Sequence, residues 1–391
     1  MENEKLLIAL CRAALSDTAP DASFLASLDA EGWSSLYRLA KHHDLAHLVA
    51  EATERFALGI PEELARKLEK QSMIALYRTE QMTHELAALT EALSDAEIPH
   101  LPLKGSVLRT YYPSPTLRLS CDIDLLVKKC DLERARAVLT DRLGYTDGGE
   151  GSHDVQMYAP SGLHVELHFD LIESGCLSEA SALLENVWDH ASANGETPYT
   201  YVLSDEAFYF YHVAHMAKHF SNTGGCGVRP FLDLFVLHRA ERCGDCAARA
   251  ELLARGGLTA FEEAAVGLMR VWMADGEPTP LTEALSSFVL TGGVYGVVEN
   301  RVAVERGKGK SRIRYLLSRL FPPYRFMKVR YPLLRRLPIL LPFCYALRIL
   351  SPLWSGRRRQ LLREVKATGA VSGEELASTA SLLSSLGLTS G

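Results

Sequence analysis

Leu103-Lys-Gly-Ser106 and Cys121-Asp-Ile-Asp-Leu-Leu-Val127, whose first aspartate lies 16 residues beyond that serine, decide how this 391-residue chain is read. Successive side chains on a strand point to opposite faces, so Asp122 and Asp124 share one face and Ile123 and Leu125 the other. Two carboxylates side by side repel, and a sheet tolerates them when a cation or basic group lies between. A solvated edge strand would also accept them. The flanking Cys121, Leu125, Leu126 and Val127 predict burial instead, and buried acids are paired or metal-bound.

Further along, Leu163-His-Val-Glu-Leu-His168 alternates apolar residues with His164, Glu166 and His168. Glu166 therefore projects from a polar face, and with the two aspartates it makes a hard oxygen-ligand set suited to Mg²⁺. Val155–Ala159 and Leu163–Phe169 read as strands of a hairpin around Pro160-Ser-Gly162. Ile98–Leu103 is a short extended run, Val107–Tyr112 a short helix ended by Pro113, and Asp131–Arg142 an amphipathic helix closed by Gly144. At Gly105-Ser106 a glycine in a strand-to-helix turn lets backbone N–H groups approach an anion, and a side chain there would obstruct phosphate.

Around this core the chain is helical. Leu6, Leu7, Leu10 and Ala14 recur at helical spacing, and Pro61–Leu93 is rich in helix-forming residues. Ser204 is a candidate N-cap followed by Asp205 and Glu206, and Gly373–Leu386 fits one more helix. The expectation is an α+β fold, a small mixed sheet with flanking helices inserted between N-terminal and C-terminal helical regions. Its divisions are 1–95 (helical), 96–200 (catalytic), 201–300 (helical, completing the cleft) and 301–391 (basic and amphipathic). His212, His215 and His219 fall within about 60° of one helix face, with Lys218 beside them. That stripe is either a metal site or a polar seam facing the cleft, and the missing partner ligands favour the seam.

The Gly-Ser turn, the Asp-Ile-Asp strand and a later carboxylate on a second strand resemble the polymerase-β-type nucleotidyltransferase superfamily. Within it, Leu103-Lys-Gly-Ser, Leu108, Tyr112-Pro, Arg118, Asp122–Val127, Gly144-Tyr145, Val165–His168, Asp205-Glu206 with His212, His215, Lys218 and His219, and Arg229 with Asp233 are similar to a bacterial family of uncharacterised nucleotidyltransferases. The resemblance implies transfer of an NMP group from an NTP to an acceptor hydroxyl, with release of pyrophosphate. Asp122, Asp124 and Glu166 would be the catalytic metal ligands for two Mg²⁺ ions, and Glu166 would help deprotonate the acceptor. Lys104, Gly105, Ser106 and Arg118 would bind the nucleotide, ATP or another NTP. His212, His215, Lys218, His219 and Arg229 would contact the acceptor or the departing pyrophosphate, and histidine charge would make activity pH-dependent near neutrality. The acceptor class stays open: a small molecule, a peptide or protein side chain, or, less favoured, an RNA end. The rival reading is a non-catalytic nucleotide-binding or membrane-surface protein that keeps the fold.

Net charge −6 conceals an asymmetry: residues 301–366 balance at +16 and the remainder at −22. The basic segment, with aromatics interleaved over 312–360, is read either as packing its apolar face on the acidic body or as meeting a membrane, a partner or nucleic acid. The longest apolar run, Leu337–Leu347, is 11 residues with two prolines, short of the roughly 20 a spanning helix needs. Eight scattered cysteines suit reduced thiols in a cytoplasmic protein, and Cys243-Gly-Asp-Cys246 lacks the second half of a zinc site. The charged start of the chain does not read as a signal peptide.

Overall fold

Alternation in three central strands builds the sheet. The computed structural model describes residues 2–21, 25, 28–173, 176–195, 197–293, 298–350 and 366–388. Strands β1 (His100–Pro102), β2 (Asp122–Val127), β3 (Thr146–Glu150), β4 (Asp154–Tyr158) and β5 (His164–His168) form one mixed sheet in the order β1-β2-β5-β4-β3. β2 and β5 run parallel, which sets Asp122 beside His164 and Asp124 beside Glu166. β4 and β5 are the expected hairpin, antiparallel, with Gln156 beside Glu166. A small ribbon, β6 (Ala191–Ala193) with β7 (Tyr201–Leu203), follows.

The helices, in chain order, are α1 (Glu2–Leu15), α2 (Ala30–His42), α3 (Ala46–Arg55) and the long α4 (Glu62–Asp95) before the sheet. α5 (Gly105–Leu108), α6 (Leu132–Asp141) and α7 (Ser178–Leu184) lie among the strands or just past β5. α8 (Asp205–Asn222), α9 (Arg229–Arg239), α10 (Cys246–Arg255), α11 (Thr259–Met273), α12 (Pro280–Gly292) and α13 (Val298–Gly307) come next. α14 (Arg312–Leu320), α15 (Tyr324–Arg330), α16 (Leu341–Leu350) and α17 (Gly373–Ser385) close the series.

Two buried clusters fix the sheet's orientation. Ile123, Leu125, Val127, Val155, Met157, Val165 and Leu167 form its apolar face, packed on Met82, Leu89 and Leu93 of α4 and on Ala135, Val138 and Leu139 of α6. Each such side chain contributes about 1.5–3 kcal/mol on burial. The other face, carrying the acids, is thereby turned away from α4. Gly144 ends the α6 region at φ 69°, a left-handed conformation that favours glycine. The larger cluster joins Leu6, Leu10 and Leu36 of the first helices to Phe220, Phe231 and Phe261 of the later ones, so the two helical regions share one core.

Several elements differ from expectation. The extended run at Ile98–Leu103 is a strand for three residues, and the turn after Leu108 is a 3-10 segment, Arg109–Tyr111. Neither β3 nor the β6–β7 ribbon was anticipated. Thr146-Asp-Gly-Gly-Glu150 holds no apolar residue, and its strand conformation comes from pairing with β4, with a bulge between Asp147 and Gly149. The thiols are all free, and Asp245 caps α10 by accepting from the Ala247 and Ala248 N–H groups. Among the described residues no metal-ligand cluster involves Cys243 or Cys246.

In the C-terminal segment, α14 anchors through Tyr315 on Val302 and Ala367, while Met327, Leu334 and Cys344 form a separate small cluster. Of the two readings of this segment, packing on the acidic body holds only in part among the described residues: Val304 joins the main core, whereas Ile313, Leu333, Ile339 and Phe343 are exposed. Of the stretch 312–360, residues 351–360 lie outside the described residues. No described helix is long and apolar enough to cross a membrane.

Candidate active site

The polar face of the sheet forms the floor of a cleft of about 520 Å³. β2 supplies Asp122 and Asp124, β5 supplies Glu166, and β4 with the turn before it supplies Gln156, Asp154 and His153. One wall is the β1–α5 turn with Lys104 and Gly105 and the loop residues Arg118 and Ser120; another is α8, through His215, Lys218 and His219. Lys104 reaches the floor because its backbone adopts φ 43°, ψ −118°, a conformation costly for a residue with a side chain.

The two aspartates are held differently. The Lys104 ammonium donates to Asp124 Oδ1 at 2.6 Å, and His168 Nε2 lies 2.9 Å from the same oxygen. Burial would raise the Asp124 carboxyl, but Lys104 and His168 outweigh it and hold it well below the usual carboxylate range. His168 Nε2 is also 3.3 Å from Glu166 Oε2, and this contact, against burial, lowers Glu166. Opposed by burial, the same two carboxylates raise His168, which favours its cationic form. Asp122 forms no ion pair among the described residues. Burial, then the Asp124 and Glu166 charges, push it up to about 6.

The donor set fits a divalent cation. Ligand atoms of Asp122, His164 and Glu166, and likewise of Asp124, Glu166 and His168, lie within 4.8 Å of one another. The two trios share Glu166, and in the second His168 would have to lose its proton before it could serve as a ligand. His164 Nε2 is buried and has no hydrogen-bond partner among the described residues. A buried imidazole nitrogen without a partner beside two carboxylates is an open ligand position. The sequence reading placed Glu166 between two imidazoles but did not assign either to the metal.

The other expected site residues divide. Lys104, Gly105, Arg118, His215, Lys218, His219 and Arg229 line the cleft; Ser106 and His212 do not. The Ser106 N–H donates to the Leu103 carbonyl, and its side chain is buried behind the turn. Ser120, on the loop beside the turn, does line the cleft and accepts from Arg118 Nη1 at 3.2 Å. A Cβ on Gly105 would overlap the Ser120 hydroxyl, so any side chain there must displace Ser120 before a phosphate arrives. Arg118 is clamped in two parallel bonds to Asp233, Nε–Oδ1 at 2.6 Å and Nη2–Oδ2 at 2.9 Å, with the Tyr112 hydroxyl donating to Oδ1. Arg229 is paired with Asp44 at 2.6 Å.

The histidine stripe on α8 is a seam rather than a unit. His212 Nε2 is 3.1 Å from the Pro230 carbonyl, whereas the ring nitrogens of His215 and His219 approach each other at 3.3 Å over the cleft. Burial pushes His215 well below its usual value and His219 down to about 4, with the Lys104 and Lys218 charges acting in the same direction. Both shifts favour the neutral imidazole and so run against the expected titration of this wall near neutrality. Lys218 is 3.5 Å from His153 Nε2 and has no ion pair among the described residues.

The mixed sheet thus sets two aspartates of β2 opposite a carboxylate of its parallel neighbour β5, with Gly105 at the cleft edge, the arrangement expected from the sequence. Residues 29–274 match the family described as "Uncharacterised nucleotidyltransferase", and the chain belongs to that family. Neither a curated protein nor a solved structure matches it.

Proposed function

We propose that the protein uses Mg²⁺ to transfer an NMP group from an NTP to an acceptor hydroxyl. The observation that carries this reading is the surplus of negative charge at one point of the floor. Asp122 forms no ion pair among the described residues, and the Asp124 and Glu166 charges together with burial outweigh the opposing pull of Lys104 and His164, a repulsion that a divalent cation would relieve. Bound there, the metal would neutralise the triphosphate and stabilise charge on the attacking and leaving oxygens.

The chain's own residues do the rest. Asp122 and Asp124 would hold the cation and so set where the nucleotide's phosphates lie relative to the sheet. Lys104 keeps Asp124 ionised and oriented. Glu166, ionised and partly open to the cleft, is placed to accept the acceptor's proton. Lys218, on the opposite wall, offers an ammonium to the β- and γ-phosphates or to pyrophosphate as it leaves. Arg118, already paired with Asp233, holds Ser120 and the cleft edge in place, and Arg229 similarly fixes the chain through Asp44. His215 and His219, neutral, are suited to hydrogen bonds with an acceptor rather than to charge.

Incubation with NTPs labelled at the α- or the γ-phosphate tests the reaction. The α-label should pass into a product and the γ-label into pyrophosphate, and Asp122→Asn and Glu166→Gln should stop both. Movement of the γ-label into product, or release unchanged in Asp122→Asn, would refute it.

A further inference from the structure

No described residue of the basic C-terminal segment lines the cleft, yet its side chains follow a consistent pattern. Residues 306–363 contain 16 Lys or Arg and no Asp or Glu. An amphipathic helix of a globular protein turns its apolar stripe to the core. Here the stripes face outward. On α14, Tyr315 is buried, while Ile313, Leu317 and Leu320 recur at i, i+4 and i+7, with Ile313 71% exposed. On α16, Cys344 is buried, while Phe343, Leu347 and Leu350 recur at the same spacing, with Phe343 63% exposed. Ile339, in the turn ahead of α16, is 85% exposed. The two helices are neighbours: the Tyr345 hydroxyl donates to the Pro322 carbonyl at 2.7 Å, and its ring meets Phe321 edge-on.

We propose that this surface docks on an anionic lipid bilayer. The occupant must accept outward aliphatic side chains and also neutralise a segment that has no acid of its own. The headgroup region of a bilayer containing anionic lipids does both. Nucleic acid would satisfy the cations and stack on the exposed Phe321, Tyr324, Phe326 and Phe343, but it offers no apolar medium to the more exposed aliphatic side chains Ile313 and Ile339, or to Leu333 and Leu347. A second copy of the same face would bring two sets of like charges together. With 9 residues in α14 and 10 in α16, neither helix can span a bilayer, so the segment lies in the interface. Arg335 Nη2 binds Glu150 Oε1 at 3.1 Å, tying the segment to the end of β3, next to Gly151 at the cleft edge. Docking therefore holds the cleft to the membrane surface.

Flotation of the full chain with vesicles tests this. One set is phosphatidylcholine alone and the other contains about 30% phosphatidylglycerol, each at about 0.1 M and about 0.5 M salt. The protein should float with the anionic vesicles, less at high salt, and remain below with phosphatidylcholine. Ile313→Asp and Ile339→Asp replace exposed side chains, so they should keep the thermal midpoint and lower partitioning about tenfold or more. Asp122→Asn should float as wild type does, which separates this proposal from the transfer reaction. Failure of the wild type to float with anionic vesicles would overturn the proposal. So would flotation unchanged in both apolar variants, or loss in those variants of dimerisation or RNA binding by a wild type that does not float.

Discussion

Asp122 and Asp124 stand two positions apart on β2, and their surroundings push them in opposite directions. Asp124 is clamped between Lys104 and His168, whereas Asp122 faces two other carboxylates. Like-charge repulsion read from the strand alone would make both Asp→Asn changes stabilising in the metal-free protein. The structure separates them. Asp124→Asn leaves the Lys104 ammonium and His168 without their counter-charge and should cost about 3 kcal/mol. Asp122→Asn should gain about 2–3 kcal/mol at pH 7. Because the folded Asp122 pKa is raised, its protonated form is favoured by the fold. Metal-free wild type therefore loses stability as pH rises from 3.8 through about 6, and the gain in Asp122→Asn vanishes near pH 4. Denaturant melts in chelator at pH 4 and pH 7 measure both effects. Equal stability changes for the two variants would contradict this account. For the same reason, metal affinity should tighten as pH rises through about 6, since proton and cation compete for Asp122. Calorimetric titration at pH 5 and pH 7.5 checks it, and a pH-independent affinity would place the metal elsewhere. Gly105 makes a third case. Gly105→Ala should destabilise the fold by about 1–3 kcal/mol through its clash with Ser120, and Ser120→Ala in the same chain should recover most of that loss. Thermal melts decide. No recovery would mean that another neighbour sets the constraint.

Among the elements, those with strong periodicity were legible in the sequence and those made by pairing were not. α4, the β4–β5 hairpin and the α8 start at Ser204 follow from apolar spacing and caps that need no tertiary information. β3 carries no such signal. The parallel pairing of β2 with β5, which brings Asp124 beside Glu166, comes from strands 42 residues apart, a register no local pattern encodes. For the site, carboxylates on alternating strand positions were readable. The Arg118–Asp233 pair was not, because the two residues lie 115 positions apart and the pairing appears when α9 packs behind the cleft. The protonation of α8's histidines was likewise hidden, since burial sets it and sequence does not report burial of that degree. On α8, Lys218→Ala should weaken NTP affinity about tenfold or more. His215→Ala should lower transfer while leaving NTP affinity and the pH profile between about 6 and 8 unchanged. Nucleotide binding and transfer, measured separately, test the division. A His215→Ala enzyme with an altered profile in that range would mean its imidazole titrates there.

For the molecule as a whole, the proposals assign different tasks to the acidic body and to the basic C-terminal segment. The N-terminal and later helices share one core, and α4 backs the apolar face of the sheet so that its polar face is left to the cleft. The central claim is that Asp122, Asp124 and Glu166 hold the metal that carries the triphosphate. A crystal structure with Mn²⁺ and a non-hydrolysable NTP analogue, with anomalous data, addresses it most directly. The account predicts a manganese peak bridging Asp122 and Glu166, with triphosphate density running from the floor toward Lys218. Nucleotide density without a metal peak at these carboxylates, or a peak and nucleotide at another surface, would contradict it.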